Sequence, residues 1–202
     1  MEERNYLKDI QDIKSMMDKS SQFISLSGLS GILAGIYAHV GAYIAKMLLA
    51  SNRGYEVTLE SDTYKWIMTT AFSVLVLSLA TAFIMTYFKA KKENETIWNS
   101  TSKRLAINFL IPLVTGGIFS LILLDRKYYE LIGPATLIFY GLSCINASKY
   151  TLRDVRYLGI TVVILGLLSA AVYGYALEFW ALGFGLCHII YGSIMHFKYD
   201  RK

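Results

Sequence analysis

Six long apolar runs dominate this chain, at residues 23–49, 66–88, 105–124, 131–148, 157–176 and 179–195. Crossing a hydrocarbon core of about 30 Å takes about 20 apolar residues at about 1.5 Å each. None of the six runs holds an Asp or Glu. A soluble domain has no core large enough to bury six such segments. The mean hydropathy of +0.42 and a 54% hydrophobic composition over 202 residues agree. The expected fold is therefore all-α: a polytopic membrane protein of six transmembrane helices arranged as three hairpins.

Lys and Arg assign an orientation. Fifteen fall in the N-terminal arm, the second and fourth connections and the tail, whereas five fall in the remaining connections. Positive residues stay in the cytoplasm, so both termini are expected there, in a plasma (inner) membrane and, with no eukaryotic targeting feature, in a bacterium. The net charge of +5 thus reads as a topology signal with anionic lipid headgroups as its partner, and nucleic acid is excluded because no folded basic domain is present. Residues 1–22 are too charged to be a signal peptide. They read as an amphipathic cytoplasmic helix, with Tyr6, Ile10, Ile13 and Met17 on one face. Residues 23–198 form the transmembrane domain and 199–202 a cytoplasmic tail.

Several local features add to this frame. Trp66, Tyr128, Tyr129, Tyr175 and Trp180 mark the outer boundary, as interfacial rings do. Pro112, inside the third run, deprives the Asn108 carbonyl of its helical donor. Cys144 and Cys187 read as small buried hydrophobes. Asn94 and Asn99 head glycosylation-like triplets on the cytoplasmic side, where they read as chance. An internal repeat relates Gly117–Ser120 and Tyr140-Gly141 to Gly166–Ser169 and Tyr191-Gly192, so that spans three–four and five–six read as copies of one hairpin.

The stretch FWALGFGLCHIIYGSIMHFK at residues 179–198, with its Leu-Gly opening, resembles the repeated hairpins of the bacterial acid-resistance membrane proteins, the HdeD-like group. The resemblance spans residues 105–202. It implies a small six-span plasma-membrane protein in envelope stress physiology and supplies no catalytic residues.

Three readings compete for function. Gly28-Leu29-Ser30-Gly31 matches the short motif of rhomboid intramembrane proteases, and His188 is the partner on offer. The serine lies on the first span near the cytoplasmic end, His188 lies near mid-bilayer, and no oxyanion motif accompanies them, so an enzyme is set aside. Small residues explain more. Ser27, Gly31 and Gly35 are spaced by four, with Ala34, Ala38 and Ala42 alongside, which forms a smooth face for another helix of the same chain or of a second subunit. This favours a non-enzymatic membrane protein that packs against partner helices, a second copy or lipid. The alternative is a small transporter or channel with a midplane polar site at His39, His188 and Asn108, since ionisable groups inside a membrane are functional candidates by default. Two histidines without a third ligand make no metal site, and no cofactor is expected.

Overall fold

The computed structural model describes residues 10, 23, 25–51, 61–93 and 97–200. The proposed amphipathic helix at residues 1–22 lies outside them, apart from residue 10. Six long helices follow: α1 Gly28–Ser51, α2 Asp62–Lys92, α3 Ser100–Asp125, α4 Ile132–Ala147, α5 Asp154–Ala171 and α6 Ala176–Asp200. All are long and apolar enough to cross a membrane, α4 together with its leading 3₁₀ turn Tyr129–Leu131. Where side chains set the boundaries, the chemistry is local. Ser61 caps α2 by accepting from the Tyr64 N–H at 3.2 Å. Asn99 and Ser102 form a reciprocal capping box at the start of α3.

Two helices fall short of their apolar runs by five residues at one end. The first begins at Gly28, not at residue 23, because the preceding backbone is tied elsewhere: Phe23 N–H donates to the Tyr150 carbonyl at 2.8 Å, and the Thr151 hydroxyl donates to the Phe23 carbonyl at 2.7 Å. The fifth stops at Ala171, where Val172 turns extended and Gly174 takes a φ of +84°, a conformation open to glycine.

The helices α1–α2 and α3–α4 pack as antiparallel neighbours. The principal partner of α5, however, is α4, and that of α6 is α1. The core is the seam where α6 meets α4 and α5, with Leu137, Leu158 and Val162 buried against Tyr140, Phe184 and Tyr191. On the two flanks stand α2, against α1, and α3, against α4.

Glycines let two helix pairs approach backbone to backbone. A Cβ on Gly192 would stand 2.6 Å from both the Gly28 carbonyl oxygen and the Ile32 nitrogen, and one on Gly35 2.6 Å from the Gly185 carbonyl. Between α4 and α5, a Cβ on Gly141 would lie 2.6 Å from the Gly159 carbonyl and 2.9 Å from the Val163 nitrogen. Gly28 and Ile32 thus meet Gly192 as Gly159 and Val163 meet Gly141. Backbones this close gain dispersion where no water is available to drive association.

Candidate functional site

The face of small residues on α1 lies against α6 of the same chain. Gly28, Gly31 and Gly35 meet Gly192 and Gly185, while Ala38 and Ala42 are buried beside them. Ser27 precedes the helix, and its carbonyl accepts the Ser30 hydroxyl at 2.7 Å. Ser30 is therefore engaged locally, and no histidine lies within hydrogen-bond reach of it.

The polar residues proposed for the midplane fall in three separate interfaces. Asn108 lies between α3 and α4. Its backbone carbonyl, freed by Pro112, accepts from Asn146 Nδ2 at 3.0 Å, and its Oδ1 accepts from the same nitrogen at 3.2 Å. Its own amide donates to the Arg104 carbonyl at 2.8 Å. The proline break is thereby satisfied across the helix pair. Sequence reasoning located the break but did not assign Asn146 as its partner.

His39 is exposed on α1 with its ring over Gly185. It borders a groove of about 190 Å³ that runs past Ala42, Tyr43 and Ala181 to the Lys46–Glu178 ion pair at 3.0 Å. Its Nδ1 donates to the Gly35 carbonyl at 3.3 Å.

His188 is buried on another face of α6, toward α4. Residues 181–186 form π turns, and there the Cys187 N–H reaches back five residues to Leu182. The next carbonyl, of Gly183, takes His188 Nδ1 at 3.0 Å. A carbonyl only accepts, so Nδ1 carries the proton and Nε2 accepts from the Tyr140 hydroxyl at 2.6 Å. Phe184 stacks over the imidazole at 6.0 Å between ring centres, and Trp180 packs on Phe184 at 4.9 Å. Trp180 thus belongs to this seam, in addition to marking the end of the helix.

A second polar cluster closes the end that holds most of the Lys and Arg, called here the basic end. Asp200, at the close of α6, accepts from the Gly28 N–H at 2.9 Å and from Lys89 at 2.7 Å, and His196 faces it at 3.3 Å. Lys89 also donates to the Leu26 carbonyl at 2.9 Å. The carboxylate therefore sits at the N-terminus of α1, where its charge is favoured, and joins three helices. Beside it, Asp154 accepts from Lys198 at 2.8 Å and from the Tyr199 hydroxyl at 2.9 Å. A plain charge count carried no signal for these pairings.

Among the described residues, no three His, Cys, Asp or Glu side chains gather as a metal site. The chain matches no family model, no curated protein and no solved structure.

Proposed function

We propose that this is a non-enzymatic integral membrane protein of the bacterial plasma membrane that holds anionic lipid along its flank, with both termini in the cytoplasm. One observation carries the reading: α2, Asp62–Lys92, buries only Ala90 along its whole length. The faces of α2 and α3 turned away from the core are apolar and end in exposed Lys91, Lys92, Lys103 and Arg104. Apolar surface beside a basic rim is what acyl chains and anionic headgroups complement. The matching glycine contacts of the α1–α6 and α4–α5 pairs support an internal repeat, and the HdeD-like resemblance supports a place in envelope stress.

Native mass spectrometry of the purified protein, titrated with anionic or zwitterionic phospholipid, tests this. Anionic lipid should be retained preferentially, and K91Q/K92Q/K103Q/R104Q should remove the preference. Equal retention of both lipids would refute it. A dimer that survives delipidation would make a second copy the occupant.

A small transporter is the second reading, favoured by the π turns beside the buried His188. The separation of His39, His188 and Asn108 into three interfaces counts against a shared site. Loss of proton or ion flux in H188A liposomes would support it.

A further inference from the structure

The groove that His39 borders opens on the surface of the bundle, between α1 and the first turns of α6 and toward the end opposite the basic one. Its polarity changes with depth. At the mouth stand Lys46, five residues before the close of α1, and Glu178, two residues after the start of α6. They pair at 3.0 Å, with 66% and 44% of their side chains exposed. Further in, the walls are Tyr43, Leu177 and the small residues Ala42 and Ala181. His39, halfway along α1, closes the inner end, held by its Nδ1 bond to the Gly35 carbonyl and resting over Gly185. From Lys46 to His39 is seven residues of α1, or about 10 Å along the helix axis.

In a bilayer, an apolar groove on the outer surface of the helices fills with lipid, because water would find too few polar partners on its walls. Charge at the end of the helices with an apolar wall beneath is the order of a phospholipid, headgroup and then chain. The signs at the mouth select the headgroup. A lone anion would meet Lys46 but also Glu178, and a lone cation the reverse, so a ligand that carries both charges is the complementary one. A carboxylate holds the cation best where it can donate hydrogen bonds, and a primary ammonium has three N–H donors where a quaternary one has none. Lys46 likewise has three donors, of which the bond to Glu178 takes one.

We propose that this groove binds one zwitterionic phospholipid with a primary ammonium, as in phosphatidylethanolamine. Its phosphate sits on Lys46, its ammonium on Glu178, and the upper part of one acyl chain lies along Ala42 and Ala181 as far as His39. The site is at the other end of the bundle from Lys91, Lys92, Lys103 and Arg104, and it takes a different headgroup from the anionic lipid proposed there.

Native mass spectrometry of the full-length protein, titrated with phosphatidylethanolamine, phosphatidylcholine or phosphatidylglycerol of identical chains, reads the headgroup. Phosphatidylethanolamine should be retained about tenfold more than phosphatidylcholine, the difference that one hydrogen bond to a charged group makes. K46Q/E178Q should abolish that difference and leave phosphatidylglycerol retention as in the wild type. The fold should survive the change, since an exposed ion pair adds little stability. Ala181→Leu fills the seat of the chain without touching a charge and should lower phosphatidylethanolamine retention as well. Equal retention of the two zwitterionic lipids, or a preference that survives K46Q/E178Q, overturns the proposal. A preference kept in Ala181→Leu would put the chain outside the groove and overturn it too. A dimer that survives delipidation and is dissolved by Ala181→Leu would make a second copy the occupant in place of lipid.

Discussion

A single hydrogen atom at residue 192 decides whether α1 and α6 can meet. The Cβ of alanine there would press on the Gly28 carbonyl and the Ile32 nitrogen at 2.6 Å, and backbone cannot swing aside as a long side chain can. Gly192→Ala should therefore lower stability by about 1–3 kcal/mol, the usual cost of overpacking. Gly117 on α3 is the control, since a Cβ there meets nothing within 4 Å. Gly117→Ala should leave the melting temperature of the detergent-solubilised protein unchanged. Equal losses at both positions would mean that helix flexibility, and not close approach, sets the effect. The same scale accounts for Ser30: bonded to the Ser27 carbonyl, its hydroxyl serves the start of α1.

At the scale of elements, α6 is the hub. Its glycines admit α1, its His188 and Phe184 face α4, and its last turn holds both carboxylate clusters of the basic end. Asp200 lies past the apolar run 179–195. Burial pushes its carboxyl up, but Lys89, the Gly28 N–H and His196 outweigh burial and hold it below its usual value of 3.8. A lowered folded value means that the stabilisation is complete above 3.8 and is lost as pH falls through the folded value. Thermal stability should therefore be flat in this contribution above pH ~5 and decline in stronger acid. Asp200→Asn should remove that acid-dependent decline at a cost of about 1–3 kcal/mol at neutral pH, because Lys89 is left partly buried without its counter-charge. A melting curve measured against pH for both proteins checks the sign. An unchanged profile in the variant would show that another carboxylate controls it.

Across the whole molecule, the order of packing runs from α2 through α1 to α6, then to α5 and α4, and ends at α3. The flanking helices are the least buried: Ala90 alone on α2, and Ser102, Gly116 and Leu123 on α3. They have the surface that a bilayer covers most readily, which is why lipid is the proposed partner. The charge bias fixes the expected direction of insertion. A fluorescent domain fused after Lys202 should mature and fluoresce, because it stays in the cytoplasm, whereas an enzyme that is active only outside should be silent in the same place. The reverse pattern would invert the topology.

Hydropathy along the chain was enough to place the six long apolar helices of the described residues and their approximate bounds, because a run of about 20 apolar residues has few folded uses besides spanning lipid. Pro112 was legible for a related reason, since a missing N–H leaves the carbonyl four residues earlier unserved wherever the helix lies. The small-residue face of α1 was legible as a face, but its partner was not. Only the tertiary structure set α6 against it and brought Asn146 to the Asn108 carbonyl. It also placed His39 and His188 on different faces of α6 and set Asp200 at the start of α1. Each of these depends on which helices become neighbours and in what register. That choice is made by backbone approach and side-chain fit across the whole bundle, and hydropathy along one strand of sequence does not record it.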